Sequence, residues 1–364
     1  MSRVISHFRR NWGKYLFLSS VTSIGSYFGY NRYCDTMIMS QLCRQASRFQ
    51  AQRHEVAEPL EKVYVLFNPS ANRGKARKHF NRYAAPILYL SGADVTILEL
   101  ESEQHLREMV NYLPPNTGSI IVAGGSGTLL NVVTALLRRN DHLKEWDKVT
   151  LGFIPLGYRN GLRGKIMSNE YQSRAERIAK SVLVCLEGRS KPVDVMELIT
   201  EEGKTVYAMT DVLWGPLVEG TLVANRYGLL GPLRGLFGYL RHAFKSSTNE
   251  EIGIDKNDKQ QNLEISGLAV SAKNGKLSFR IWEKIESKLE FAKFGAKQMS
   301  YKTPADFLEY KLSTPINELK IQPIRDSDYW FHIDGDEFEP YPVQIRILNN
   351  KIKFFTDELL NTNI

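Results

Sequence analysis

Two glycine-containing segments of the sequence have the residue types that bind phosphate. The first supplies Asn68, Pro69, Gly74 and Lys75, and the second supplies Gly124, Gly125, Ser126, Gly127 and Thr128. Each follows an apolar run and precedes a helical pattern, so backbone N–H groups and a helix N-terminus could hold phosphate oxygens. Neither matches GxxxxGKS/T or GxGxxG, and a single glycine-rich turn is more often structural. Two of them in one predicted sheet indicate a triphosphate site where both turns meet.

Two carboxylates near the C-terminal end are candidates for proton transfer. Asp334 and Asp336 flank Gly335 in the run from His332 to Glu337. A positioned carboxylate can accept a proton from a hydroxyl. An Asp-Gly pair is also typical of a tight β-turn, so a purely structural role stays open.

A basic amphipathic segment follows residue 228. Its apolar side chains recur at helical spacing and include Leu229, Leu233, Leu236, Phe237 and Leu240. Arg234 and Arg241 fall outside that stripe. Such a helix can lie on an anionic bilayer or line an acyl pocket, and it can equally pack its stripe against the protein core.

The N-terminal residues form a basic, acid-free run followed by an uncharged stretch. Arg3, Arg9, Arg10 and Lys14 precede the first acidic residue, and the stretch reaches Tyr30. As a helix it spans about 24 Å, short of the roughly 30 Å hydrocarbon core. We expect a mitochondrial inner-membrane anchor with the body facing the intermembrane space. A cleaved targeting peptide and a helix lying in the membrane interface remain alternatives.

The elements that must position these groups follow two patterns, first alternating strands and helices and then successive strands. Strands are predicted at 63–67, 94–100, 119–123 and 151–154, with helices at 75–89, 103–112 and 129–137. This alternation predicts a parallel sheet with helices on its faces. Beyond residue 190, alternating runs at 205–209, 266–270, 277–281 and 343–347 predict an antiparallel β domain, and 249–259 reads as an exposed loop.

These patterns divide the 364 residues into four regions. We expect a basic N-terminus, anchor helix and linker at 1–58, an α/β nucleotide-binding domain at 61–190, a β-sandwich at 191–356 and a tail at 357–364. The net charge of +8 favours a negatively charged partner, for which an anionic membrane is as good a candidate as nucleic acid. The three cysteines are too few and too scattered for a disulfide framework or a structural metal site.

The motifs together resemble the diacylglycerol and sphingosine lipid kinases. The resemblance rests on three motifs: NPSANRGKA, VAGGSGT before an apolar helix, and FIPLG about thirty residues later. Further segments resemble the acylglycerol kinase branch. The resemblance implies a nucleotide domain like that of NAD kinase and diacylglycerol kinase, a β-sandwich and a cleft between them. It also implies transfer of the γ-phosphoryl group of ATP, with Mg²⁺, to an acylglycerol or sphingoid lipid, and no nucleic acid partner. The run from His332 to Glu337 resembles the family's late DGE motif with Asp336 in the glutamate position, which implies a carboxylate that approaches the lipid hydroxyl and accepts its proton.

The chain departs from the family pattern at several positions. Ser126 stands where the family has an aspartate, Asn131 where it has a glutamate, and Gly161 where the family's second aspartate falls. The third segment keeps Leu156, Gly157 and Asn160. These changes predict weakened kinase activity. The alternative is a non-catalytic subunit of the inner-membrane carrier translocase, a role that acylglycerol kinase relatives also have and that needs no phosphoryl transfer.

Overall fold

The computed structural model describes most of the chain. It covers residues 2–56, 62–114, 117–139, 149–157, 166–167, 171, 173–256, 259–273, 275–299, 311–324 and 327–357. Within these ranges, residues 2–11, 52–56, 256, 259–260, 273 and 311–315 are described by their backbone alone. The helices are α1 (Ser2–Val56), α2 (Ala76–His79), α3 (Ala85–Leu90), α4 (Glu103–Tyr112), α5 (Ser126–Arg138), α6 (Arg174–Glu187), α7 (Pro216–Arg226), α8 (Arg234–Lys245) and α9 (Lys288–Gln298).

The strands fall into two groups. Those of the N-terminal half are β1 (Lys62–Phe67), β2 (Asp94–Glu99), β3 (Ser119–Gly124) and β4 (Thr150–Pro155). Those of the C-terminal half are β5 (Ser190–Thr200), β6 (Thr205–Ala208), β7 (Asp211–Trp214), β8 (Glu250–Lys256), β9 (Lys259–Lys273), β10 (Lys276–Glu283), β11 (Lys311–Ile316), β12 (Glu318–Pro323), β13 (Phe331–Ile333), β14 (Asp336–Phe338) and β15 (Val343–Phe355).

The first four strands form the predicted parallel sheet, in the order β2-β1-β3-β4. β3 is buried along its whole length, as the near-continuous apolar runs of a sheet covered on both faces require. All four strands point the same way, so the loops after β1, β2, β3 and β4 emerge at one edge. That edge is where open α/β sheets bind their ligands.

The second half is antiparallel, which confirms the predicted change of rhythm. β15 joins the two halves because it pairs antiparallel with β5 and β12 and, at its C-terminal end, parallel with β4. The loop expected at 249–259 is wrong: this segment contains β8, which pairs with β9 and β12. Ile252 and Ile254 are buried, and their spacing of two residues, between Glu251 and Asp255, was the strand signal.

The predicted helix at 75–89 is interrupted. Between α2 and α3 lies a π-helical segment, Phe80–Ala84. Pro86 stands in the first turn of α3 and has no N–H to donate to a carbonyl four residues earlier. The hydrogen-bond ladder therefore widens just before the proline.

The predicted N-terminal helix is confirmed as α1. Its C-terminal part is not a free linker, because Leu42 and Ala46 are buried in the core of the α/β half and Tyr83 donates a hydrogen bond to Asp35 at 3.2 Å. Within the described residues, no helix combines the length and the apolar character needed to cross a membrane.

Candidate active site

The loop after β1 forms a tight turn anchored by Asn68. Its side-chain oxygen accepts a hydrogen bond from the Ser70 N–H at 3.0 Å. Asn72, Arg73 and Gly74 all adopt left-handed backbone conformations, with φ of 56°, 56° and 78°. The turn brings the chain back to the start of α2 and leaves Gly74 and Lys75 exposed at its outer end.

The loop after β3 leads directly into the N-terminus of α5. Gly125 is the N-cap residue, and no side chain caps the first turn, which is the kind of helix N-terminus that binds anions in other proteins. Gly124 is needed for close approach, because an added Cβ would lie 2.8 Å from the Thr128 side chain. Ser126 and Thr128 are nearly buried beneath the loop.

The two loops meet, as the sequence predicted. The Asn68 side-chain amide donates a hydrogen bond to the Thr128 hydroxyl at 2.9 Å, and the Asn68 N–H donates to the Ala123 carbonyl, also at 2.9 Å. A polar cavity of about 350 Å³ opens beside this junction. Its lining consists of Asn68, Ser70, Leu100, Glu101, Ser102, Glu103, Leu106, Gly127, Thr128, Asn131 and Asp336.

The third predicted segment packs onto the second. The N–H groups of Leu156 and Gly157 both donate to the Gly124 carbonyl, at 2.8 and 3.1 Å. Asn160, like Tyr158 and Gly161, lies outside the described residues. The predicted residues that do not line the cavity are Pro69, Gly74, Lys75, Gly124, Gly125, Ser126, Leu156 and Gly157.

The structure separates the two candidate carboxylates. Asp334 has a left-handed φ of 52° between β13 and β14, and its oxygens accept from the N–H groups of Met209, Thr210 and Asp211 and from the Thr210 hydroxyl. These four hydrogen bonds fasten the hairpin to the loop between β6 and β7. Burial raises the pKa of Asp334, against the lowering effect of those donors.

Asp336 instead faces the phosphate loops. A Cβ added to Gly127 would lie 3.1 Å from the nearer Asp336 carboxylate oxygen, so the absence of a side chain at Gly127 admits this group. Partial burial raises the pKa of Asp336, and the charges of Asp334 and Glu103 raise it further. A carboxylate with a raised pKa at the wall of the cavity is suited to accept a proton.

A third carboxylate, Glu103, was missed by sequence reasoning. It is the first residue of α4, directly after the loop that follows β2. Its Oε1 accepts a hydrogen bond from the Asn131 amide at 3.0 Å. An acidic residue in the first turn of a helix is commonplace, so its type carried no signal. Its position after a parallel strand at the same sheet edge was the signal available.

The cavity side chains fit a magnesium ion held mainly by phosphate. Mg²⁺ prefers oxygen ligands and typically takes one or two carboxylates together with substrate phosphates and water. Glu103 and Asp336 supply carboxylates, and Ser102 and Thr128 supply hydroxyls. No group of three or more His, Cys, Asp or Glu side chains that could hold a metal occurs in the described part of the chain.

A larger cavity of about 410 Å³ lies elsewhere, among the antiparallel strands. Its walls are mostly apolar and include Leu198, Val206, Phe331 and Val343. None of the residues of the phosphate loops lines it. The smaller, polar cavity is therefore the one with the chemistry of a phosphate site.

The amphipathic segment turns its apolar stripe outward. A 3₁₀ turn, Gly228–Leu233, precedes α8, and Gly231 breaks the helical geometry with φ of 54°. The fractional exposures of Leu229, Leu233 and Phe237 are 105%, 68% and 47%, and Leu236 is also exposed. Leu240 is partly buried, and Arg234 and Arg241 are exposed.

The face of α8 that packs on the protein consists of other residues. Gly235, Gly238, Tyr239, His242 and Ala243 are buried. Gly238 allows α7 to approach, since an added Cβ would lie 2.3 Å from the Cα of Ala224. The alternative in which the stripe faces the core is therefore wrong.

Comparison with known proteins gives one consistent result. Residues 62–198 match the diacylglycerol kinase catalytic domain family. The chain is 33% identical over 248 residues to mitochondrial acylglycerol kinase of Xenopus laevis, covering 67% of this chain and 57% of that protein. The human enzyme of the same name is 35% identical over 226 residues, covering 62% and 53%. The chain thus spans little more than half the length of these relatives.

A solved structure shares the fold. A putative diacylglycerol kinase from Bacillus anthracis str. Sterne superposes with a TM-score of 0.59 at 16% identity, covering 83% of this chain and 100% of that one. At this identity the likeness concerns the architecture alone. It matches the parallel sheet joined to antiparallel strands described above.

Proposed function

This chain belongs to the acylglycerol kinase family, and on that premise we propose that it is a mitochondrial lipid kinase homologue. It transfers the γ-phosphoryl group of ATP to a hydroxyl of a monoacylglycerol or diacylglycerol, or of a sphingoid lipid. The observation that carries the proposal is the hydrogen bond between Asn68 and Thr128, which joins two phosphate-type loops beside a cavity that also holds Asp336.

Each part of the cavity has a role in this proposal. The N-terminus of α5, where Gly127 and Thr128 line the cavity, binds phosphate oxygens through backbone N–H groups. Asp336 accepts the proton of the lipid hydroxyl. The hydroxyl oxygen bonds to the γ-phosphorus, and the bond between that phosphorus and the terminal oxygen of the departing ADP breaks. Bound Mg²⁺ offsets charge on the phosphates. Because Ser126 and Asn131 carry no charge, we expect slow turnover.

A radiolabelled-ATP assay on the purified chain tests the proposal. The lipid acceptors are monoacylglycerol, diacylglycerol and sphingosine, each tested with wild type, with Asp336→Ala and with Ser126→Asp combined with Asn131→Glu. We expect slow wild-type turnover that Asp336→Ala abolishes and that the double substitution raises. Equal rates in wild type and Asp336→Ala would remove Asp336 from the mechanism. The absence of measurable turnover in wild type and in every variant would contradict the kinase proposal.

The exposed stripe supports lipid contact at a membrane. Leu229, Leu233 and Phe237 present apolar side chains, with Arg234 and Arg241 nearby to meet anionic lipid head groups. We place the protein at the mitochondrial inner membrane with its body in the intermembrane space. Its lipid substrate would then be taken from the bilayer on which α8 rests.

A second function is favoured by one specific feature, the neutral residues at 126 and 131. A subunit of the carrier translocase would need the fold and the membrane contact but no phosphoryl transfer. Affinity capture from mitochondria separates the two proposals. Recovery of translocase components together with an inactive wild type favours the subunit role, whereas turnover without translocase components favours the enzyme.

A further inference from the structure

Ser126, Asn131 and Gly161 replace three carboxylates of the family pattern, yet the structure has another carboxylate beside residue 131. Asn131 lies where the family has a glutamate, and its amide donates a hydrogen bond at 3.0 Å to Oε1 of Glu103. Both residues line the cavity that contains Gly127, Thr128 and Asp336. A negative charge is therefore present beside residue 131, although it comes from α4 rather than from α5.

We propose that Glu103 binds the magnesium ion of the ATP complex and that Asn131 orients the Glu103 carboxylate. The inference rests on the proposed nucleotide site and adds the protein group that contacts its metal. Asn131 is then a positioning residue, which holds one carboxylate oxygen so that the other is directed into the cavity. In the family pattern the carboxylate stands at residue 131 itself, whereas here Glu103 supplies it and Asn131 holds it in place.

The chemistry of magnesium supports this assignment. Mg²⁺ in phosphoryl-transfer sites is held by one or two carboxylates, with phosphate oxygens and water completing its six ligands. Glu103 and Asp336 reach the cavity from different elements, α4 and β14, and both line it. With Asp336 reserved for the lipid hydroxyl, Glu103 remains as the carboxylate for the metal.

The competing carboxylate is Glu101, which also lines the cavity. It precedes α4, and its backbone N–H donates to Nδ1 of His105 at 3.3 Å. Asn131 bonds to Glu103 and not to Glu101, so the side chain at 103 is the one held toward α5. The same experiment can test both residues.

The experiment measures binding of the non-hydrolysable analogue AMP-PNP by calorimetry, with Mg²⁺ and with EDTA. In wild type we expect tighter binding with Mg²⁺. Glu103→Gln should lose at least about tenfold of the affinity with Mg²⁺ and none with EDTA, since only a metal contact is removed. Asn131→Leu should lose about tenfold with Mg²⁺ because the orienting hydrogen bond is gone.

Three further variants make the result decisive. Glu108→Gln lies on the same helix outside the cavity, where its side chain accepts from Gln104, and should match wild type. Glu101→Gln should also match wild type, and a loss there instead of at Glu103 would overturn the assignment. The exchange of Glu103→Gln with Asn131→Glu should restore the metal effect, which a purely structural role for Glu103 would not.

The possible failures are distinguishable. If wild type binds AMP-PNP with a metal effect that Glu103→Gln leaves intact, the inference about Glu103 falls and the nucleotide site stands. If wild type binds no nucleotide under either condition, the proposed kinase function and the inference fall together. Thermal melting of every variant checks that the comparisons concern folded protein.

Discussion

At the scale of single residues, the β13–β14 hairpin carries two carboxylates with different physical tasks. Asp334 accepts four hydrogen bonds that tie the hairpin to the loop between β6 and β7. Asp336, two residues later, lies against Gly127 at the wall of the cavity, where burial and the nearby charges of Asp334 and Glu103 raise its pKa. A carboxylate satisfied on all sides is suited to hold structure, whereas one near other negative charges is suited to take up a proton.

Asp334→Ala should therefore destabilise the protein. Removal of the carboxylate leaves backbone N–H groups of Met209, Thr210 and Asp211 without their acceptor, a loss of about 2–4 kcal/mol in the free energy of unfolding. Urea denaturation of the purified chain measures this quantity. Asp336→Asn is the matched control and should show no loss; a stable Asp334→Ala protein would mean that the loop holds without the carboxylate.

Asp336 should instead limit stability at neutral pH. Its raised pKa means that the folded state disfavours the charged form, so its favourable contribution is present below the ordinary aspartate pKa and is lost as pH rises through the folded value. Asp336→Asn mimics the protonated group, and its Tm in EDTA should exceed that of wild type at pH 7.

The two Tm values should converge near pH 3, where both side chains are neutral. Equal values across this pH range, or a lower Tm for Asp336→Asn at pH 7, would contradict the assignment. A cost that vanishes on neutralisation is what a site kept for chemistry, at some expense in stability, should show.

The sequence placed Asp334 and Asp336 in one turn, but it could not tell which of them reaches the cavity and which is held by hydrogen bonds. The residues that distinguish them lie far away in the chain, at 127 and at 209–211. The same is true of Glu103, because its contact with Asn131 depends on how α4 and α5 pack. Residue types and spacing predicted the loops, and tertiary contacts decided which side chains reach the cavity.

At the scale of elements, the site depends on the close approach of strand ends and helix starts. Gly124 ends β3, and its carbonyl accepts hydrogen bonds from Leu156 and Gly157 while its Cα lies against Thr128. This single residue therefore positions two of the three loops. A side chain there has to displace the first turn of α5.

Gly124→Ala should lower the free energy of unfolding by about 1–3 kcal/mol, because the added methyl group would overlap the Thr128 side chain. Nucleotide binding should weaken as well, since the hydrogen bond from Asn68 to Thr128 would be disturbed. Gly118→Ala is the control, because nothing lies within 4 Å of an added Cβ there. Equal stability of the two variants would show that α5 shifts without cost.

Elements were predictable where their pattern is local. The apolar runs of β1, β3 and β4 end at asparagine, glycine or proline, which made these parallel strands identifiable. The segment at 249–259 was misjudged because its charged residues conceal the buried pair Ile252 and Ile254. The orientation of α8 was open because Gly235 and Gly238, which a hydrophobicity pattern discounts, form its buried face.

At the scale of the whole molecule, β5 and β15 connect the nucleotide side to the antiparallel side. β15 pairs with β5 over most of its length and reaches β4 at its end. The exposed stripe of α8 belongs to the antiparallel half, as does Asp336, whereas the phosphate loops belong to the parallel half. The exposed stripe and the phosphate loops therefore lie in different halves of the fold, and Asp336 is contributed to the cavity by the half that carries the stripe.

This arrangement predicts that membrane binding and folding stability can be separated. The side chains of Leu229 and Leu233 are mostly exposed, so Leu229→Ser combined with Leu233→Ser should leave the free energy of unfolding nearly unchanged. Binding to vesicles containing anionic lipid should weaken by about tenfold or more, because each leucine that enters the bilayer interface contributes about 1–2 kcal/mol. Cosedimentation with the vesicles measures the affinity.

The control for this prediction is Tyr112→Ser, which removes an exposed aromatic side chain from α4, away from the stripe. It should bind vesicles as wild type does, and an equal loss there would point to nonspecific adhesion. Arg234→Gln combined with Arg241→Gln should weaken binding to anionic vesicles and reduce its salt dependence, because each arginine contributes about 1 kcal/mol near a charged surface. Apolar insertion and charge attraction would then be separable, since salt acts on the second and leaves the leucine contribution in place.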